Sequence, residues 1–224
     1  MTRLAIDIWS DVMCPWCLVG WGNLRQALDE LDGEIEAEVR WRPFELNPDM
    51  PPEGEEQTAH IARKYGRSEA EAQAVRERMR EMGREAGVSL DWEGEGEPPP
   101  AMMWNTFAAH RLLARVLETA GPERQTALKL ALFRAHFNHR RAIGEREVLL
   151  DVAEECGFDR AAAQAALDDE ALATCVRAEE RQAWDMNVTG VPAMVVVSKF
   201  LIPGAQAAEV YVNALRRVAE KVEA

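Results

Sequence analysis

Near the start of this 224-residue chain, Cys14-Pro15-Trp16-Cys17 stands between a strand pattern and a helix pattern. Leu4 to Ser10 reads as a short buried strand, with Leu4, Ile6, Ile8 and Trp9 apolar. After the cysteines, Leu18, Trp21, Leu24, Leu28 and Leu31 recur at helical spacing, and Asp32-Gly33 ends that helix. Cys14 then falls at the helix N-terminus, where free N–H groups and the helix dipole favour a thiolate. Pro15 suits the first helical position, because its missing N–H has no partner to lose there. Cys17, about one turn further on, can reach back to close or resolve a disulfide. The competing use of such a pair is half of a zinc site, which needs about four ligands. No second Cys-x-x-Cys and no His-rich cluster completes one, so the spacing points to redox chemistry.

The rest of the chain supplies the frame. Ile35 to Phe44 alternates, with Ile35, Ala37, Val39 and Trp41 on one face, and prolines 43, 48, 51 and 52 mark its irregular exit. From about Glu55 to Val188 nearly every signal is helical. Ser68 to Glu71 forms a capping box and Gly87 is the stop after its helix. Further helices are predicted over Met102–Glu118, Glu123–Asn138, Glu145–Glu155, Arg160–Leu167 and Asp169–Met186, with Asp159 and Asp168 as N-caps. Strand character returns at Ala193–Ser198, with Phe200–Ile202 as a hairpin partner, and Gly204–Lys221 makes a last amphipathic helix. The order is β-α-β, a long helical block, then β-β-α. Thr189-Gly190-Val191-Pro192 precedes the late strand. Beside an early Cys-x-x-Cys, a cis Val191–Pro192 bond is expected there, leaving the Val191 backbone free to pair with an incoming peptide or thiol.

Composition narrows the partners. Lys and Arg number 26 against 39 Asp and Glu, a formal charge of −13. Such a surface repels nucleic-acid phosphates and anionic lipid. No apolar run spans a bilayer, and the first residues lack a signal-peptide core, so a cytoplasmic protein is expected. In a reducing compartment four cysteines are no disulfide framework; Cys156 and Cys175 read as buried packing residues. Asp11, three residues before Cys14, is placed for proton transfer to the thiols or for capping the loop. Trp9 and Trp41 fit core strand faces, Trp104 and Trp184 fit helix packing, and Trp16 alone has reason to be exposed.

These features together resemble the DsbA superfamily, and within it the FrnE-like cytosolic dithiol–disulfide oxidoreductases. The matching stretches are Ile8 to Cys17, Arg42 to Pro48, Asn105-Thr106-Phe107 with His110-Arg111-Leu112, Ile143-Gly144 with Glu147-Val148-Leu149, Thr189 to Pro192, and Gly204-Ala205-Gln206. The resemblance implies an α/β thioredoxin fold from residues 1–50 and 188–224, interrupted by a helical insertion domain at 51–187. It implies that Cys14 is the nucleophile, Cys17 the resolving thiol and Pro192 the cis-proline. Pro15, Trp16, Asp11, Val191, Asn105 and His110 would border a substrate groove, and Pro15 and Trp16 would also tune the reduction potential. No metal or bound cofactor is implied; glutathione would serve as reductant or co-substrate. Partners would be thiol- or disulfide-bearing proteins or small molecules, and a second copy of the chain in a homodimer. Two departures stand out. Arg140-Arg141-Ala142 replaces the acidic residue usual before Ile-Gly, and Val197-Ser198 replaces an Asn/Asp-Gly hairpin turn, which suggests a longer loop or an apolar contact with a partner chain. Two other functions fit the same scaffold: a glutathione-dependent isomerase or transferase of the kappa or hydroxychromene-carboxylate isomerase type, which usually has serine at the first thiol position, and a non-catalytic chaperone.

Overall fold

The computed structural model describes residues 1–66 and 68–223. Strand β1 (Thr2–Ser10) buries Leu4, Ile6 and Ile8 on one face and Trp9 on the other. A strand apolar on both faces belongs inside a sheet. Accordingly β1 lies between β2 (Ile35–Pro43) and β5 (Ala193–Val196), and β6 (Phe200–Pro203) closes the far edge. β2 runs parallel to β1, with Ile6 beside Val39 and Ile8 beside Trp41. β5 and β6 are each antiparallel to their inner neighbour. The parallel pair needs a crossover, and α1 (Pro15–Glu30) provides it. α1 and the last helix, α8 (Ala208–Glu223), bury Leu18, Val19, Leu24, Leu215 and Tyr211 against Leu4, Ile6 and Ile8. This is the mixed α/β thioredoxin arrangement with a helical insertion.

The insertion carries α2 (Gln57–Tyr65), α3 (Glu69–Glu85), α4 (Phe107–Phe137), α5 (Arg146–Glu155), α6 (Arg160–Asp168) and α7 (Glu170–Asp185). α3 begins with the Ser68–Glu71 capping box, and Gly87 follows it at φ +69°. α4 runs from 107 to 137 with one non-helical residue, Gly121 (φ 83°, ψ 178°), before Pro122, so the two expected helices join without a loop. Its Phe133 and Phe137 reach the sheet-side core, Phe133 edge-on to Trp41. On the sheet's other face, Trp9, Ala193 and Val195 meet Ala183 and Val188 at the end of α7.

Several expectations are corrected. Met102 does not begin a helix: Met102–Met103 form strand β4, paired with β3 (Glu55–Glu56). The helix waits until Phe107, whose N–H donates to the Asn105 side chain at 3.1 Å. Asp169, not Asp168, caps α7, accepting from Ala171 and Leu172; Asp168 ends α6 and pairs with Arg146. The last helix starts at Ala208 rather than Gly204, because Gly204 takes a left-handed backbone and its carbonyl accepts from the Tyr211 hydroxyl. Val197 and Ser198 both adopt positive φ and make a tight turn, not a longer loop. Val197 packs on the protein's own core and donates its N–H to Ala5 at 2.8 Å, which offsets the β-branched residue's poor fit to that backbone. Trp184 is 64% exposed, with its ring 6.5 Å from that of Phe44, and Cys175 is exposed, so neither is a core residue.

Candidate active site

Pro15 occupies the first turn of α1, which makes Cys14 its N-cap, with extended backbone at φ −85° and ψ 111°. The loop before it is wound by Asp11. The Asp11 carbonyl accepts from Cys14 N–H at 3.2 Å, and its carboxylate accepts from Met13 N–H at 3.3 Å and Leu46 N–H at 2.7 Å. The next turn brings Cys17 N–H to the Cys14 carbonyl at 3.0 Å. Both cysteines are free thiols, buried, and hydrogen-bonded to each other. The Val191–Pro192 bond is cis, and the Cys14 thiol donates to the Val191 carbonyl at 3.7 Å. Gly20 allows this approach: a Cβ there would lie 3.0 Å from Pro192 Cγ.

Behind the dithiol lies a buried charge that the sequence reading missed. Lys129, fully buried on α4, donates to the Ser10 carbonyl at 3.2 Å and sits 5.2 and 5.0 Å from the Trp41 and Phe133 rings. Burial pulls its pKa down to about 8, against the opposing pull of Cys17, Asp11 and Cys14. A signal was available. Gln125, Leu128, Lys129, Leu132, Phe133 and His136 form one helical stripe, so a lysine sits on the buried face.

The two thiols stand in the opposite order to the expected one. The hydrogen bond that the Cys14 thiol donates to Cys17, then burial, hold Cys14 well above the ordinary thiol range, and Asp11 adds to this. Burial also opposes ionisation of Cys17, but the Cys14 thiol, the Lys129 ammonium and Ser10 outweigh it and bring Cys17 below the ordinary value. The expected helix-stabilised thiolate on Cys14 is therefore corrected: a charge on the pair is favoured on the Cys17 side.

Asp11 is wholly buried, and burial raises its pKa despite the Leu46 N–H, Lys129 and Thr106. His110 is also buried rather than bordering an open groove. Burial, then Lys129, hold it neutral, and only the Phe44 backbone favours its charged form. Its Nε2 lies 3.8 Å from Asp11 Oδ1 without a hydrogen-bond partner, and the ring lines a 250 Å³ cavity shared with Arg42, Cys175 and Glu179. Asn105 donates to the Pro48 carbonyl at 3.3 Å and so braces the loop after β2. Pro15, Trp16 and Val191 are half-buried at the rim. Beside Asp11, Arg177 bridges Glu45 and Glu180. Burial, then Glu180, push Glu45 up to about 7. Among the described residues no cluster of His, Cys, Asp and Glu could hold a metal ion, and no helix is long and apolar enough to cross a membrane.

The sequence model of the DSBA-like thioredoxin domain family matches residues 5–216. The chain is 33% identical to a probable DsbA oxidoreductase from Streptomyces coelicolor, whose structure superposes with a TM-score of 0.83 over 96% of this chain and 89% of that one. A 2-hydroxychromene-2-carboxylate isomerase is 16% identical, with a TM-score of 0.67 over 98% of both chains. The cytosolic disulfide reductase DsbM from Pseudomonas aeruginosa, solved with glutathione, is 18% identical, with a TM-score of 0.62 over 96% of this chain and 99% of that one.

Proposed function

The chain belongs to the DSBA-like thioredoxin domain family, and from that premise we propose that it is a dithiol–disulfide oxidoreductase of the FrnE-like kind. Residues 1–50 and 188–224 serve as the thioredoxin-like halves and 51–187 as the insertion. The observation that carries the reading is the thiol pair itself: Cys14 at a helix N-cap, hydrogen-bonded to the Cys17 thiol and to the Val191 carbonyl.

In the reductive direction the pair first releases one proton, leaving the charge on Cys17, and the Cys14 proton then passes to Cys17 along their hydrogen bond, which leaves Cys14 as the thiolate. The Cys14 thiolate then attacks a substrate disulfide, forming a Cys14–substrate disulfide and expelling one substrate thiolate. Cys17 next loses its proton and attacks Cys14 Sγ, closing the Cys14–Cys17 disulfide and expelling the second thiolate. Two electrons pass to the substrate, and the two thiol protons end on its two sulfurs. Lys129 is a positioning residue that favours charge at Cys17. Asp11, with its raised pKa, exchanges protons with the pair, and the neutral His110 ring stands behind it at 3.8 Å. Pro15 and Trp16 shape the rim, Asn105 braces it, and Val191 and Pro192 form the wall on which the substrate lies.

A low-molecular-weight thiol such as glutathione re-reduces the enzyme in the cytoplasm; the reported glutathione complex of DsbM, a protein of similar fold, supports its use here. The isomerase reading is less well supported. It needs one activated thiol, of glutathione, whereas this chain has two of its own in contact. The test is reduction of protein and small-molecule disulfides by wild type, Cys14→Ser and Cys17→Ser. Loss of turnover in both variants is expected. Full activity in Cys14→Ser would refute the mechanism, and isomerase activity surviving in Cys17→Ser without disulfide reduction would favour the alternative.

A further inference from the structure

Next to the active-site loop is a small cavity of 50 Å³ whose wall includes Pro15, the residue after Cys14. Its floor is apolar, made by Leu90 and Phe137, and its rim carries three guanidinium groups: Arg76, Arg80 and Arg140. In a chain with a formal charge of −13 such a cluster calls for an explanation. Arg80 is neutralised by Glu77 and Asp91, each at 3.3 Å. Among the described residues Arg76 hydrogen-bonds only the neutral Gln73 side chain and makes no ion pair within 4.0 Å, although its charge reaches Glu56. Arg140 makes no ion pair among the described residues, and its Nε is buried without a hydrogen-bond partner. Its backbone sits at φ +52°, a region costly for a side-chain-bearing residue. Burial, then repulsion from Arg80 and Arg76, disfavours its charge. A half-buried cation beside two others, with an idle donor and no counter-charge, lacks an anion.

We propose that this cavity is a carboxylate subsite, and that Arg140 with Arg76 selects disulfide substrates bearing a carboxylate close to the reacting sulfur. The inference rests on the oxidoreductase reading above and adds the class of substrate. A guanidinium fork pairs bidentately with a carboxylate, and the cavity has room for that group but not for a whole ligand. Contact with Pro15 puts the bound charge one residue from Cys14, so it fixes how the disulfide meets the thiol. The carboxylate can belong to a low-molecular-weight disulfide or to an acidic residue beside a peptide disulfide; the chemistry is shared.

The experiment compares kcat/KM for two matched pairs. One is oxidised glutathione against its fully esterified form. The other is a peptide disulfide with Glu next to each cysteine against the same peptide with Gln. In wild type the acid-to-neutral ratio is expected to exceed one for at least one pair, and that pair identifies the source. Arg140→Gln is expected to lower the ratio about tenfold, as loss of a charge-assisted pair does, and Arg140→Lys to restore part of it. Arg216→Gln, a remote surface change against Glu34, should leave the ratio as it is. A ratio near one for both pairs, or the wild-type ratio persisting in Arg140→Gln, overturns the proposal. If wild type reduces none of the four, the oxidoreductase reading fails instead, and calorimetry of reduced glutathione against Cys14→Ser decides the subsite. Binding that Arg140→Gln abolishes supports it; no binding, or binding unchanged by Arg140→Gln, overturns it.

Discussion

Lys129 shows how one buried charge biases a neighbouring thiol. Its ammonium lies behind the thiols, held by the Ser10 carbonyl and two aromatic faces. Replacing it with Met keeps the length and apolar stem but removes the charge that favours ionised Cys17. Lys129→Met is expected to raise the pH midpoint of first thiolate formation, read by ultraviolet thiolate absorbance, by about one pH unit; an unchanged midpoint would show that Lys129 does not act on the pair. Glu45 makes a second prediction at this scale. In the unfolded chain its carboxyl titrates near the ordinary 4.5, whereas in the fold burial and Glu180 hold the proton up to about 7. Between those values the folded state binds more protons, so this group's stabilising contribution is present at low pH and lost as pH rises through that window. Glu45→Gln stays neutral throughout. Its stability relative to wild type should climb by about 2 kcal/mol between pH 5 and pH 8 in urea unfolding, after discounting for solvent beside the pair. An equal difference at the two pH values would contradict the assignment.

Among the elements, α1 has the tightest fit. A Cβ at Gly22 would lie 2.4 Å from the Ala86 carbonyl oxygen, a backbone atom with little room to yield. Gly22→Ala should therefore cost about 1–3 kcal/mol, seen as a lower unfolding midpoint. The strands and most helices were legible because their apolar pattern decides their burial: β2 stands where its alternation puts it, and β1 and β5 where their apolar and β-branched runs do. The dithiol was legible because its meaning lies in local spacing. Asp169 and Asn105 were misread where side chains compete for backbone N–H groups over one or two positions. The β3–β4 ladder was invisible because two-residue strands have no period. Lys129, Glu45, Arg177 and Glu180 come together only through tertiary packing. Even so, a lysine on α4's apolar stripe carried a trace of its role.

Across the whole molecule, the insertion and the sheet act as one body through Gln125. Its side-chain amide accepts from Trp41 N–H at 2.8 Å and donates to the Trp41 carbonyl at 2.9 Å and the Leu113 carbonyl at 3.2 Å. It thus takes the place of a neighbouring strand at the β2 edge, and it is wholly buried. Gln125→Ala should cost about 2–3 kcal/mol, because it leaves buried backbone groups unpaired. It should also loosen Lys129, one turn along α4, so unfolding and thiol titration are expected to shift together; a stability loss with unaltered titration would show that the two halves are not coupled there. The most direct test of thiol–disulfide exchange is to trap its intermediate. Cys17→Ser, mixed with a disulfide-bonded peptide and analysed by mass spectrometry, should accumulate one peptide joined to Cys14 and release the other as a thiol. Wild type should pass to the Cys14–Cys17 disulfide with no adduct retained. Absence of an adduct on Cys14 in Cys17→Ser, with the peptide disulfide still reduced by wild type, would contradict the account.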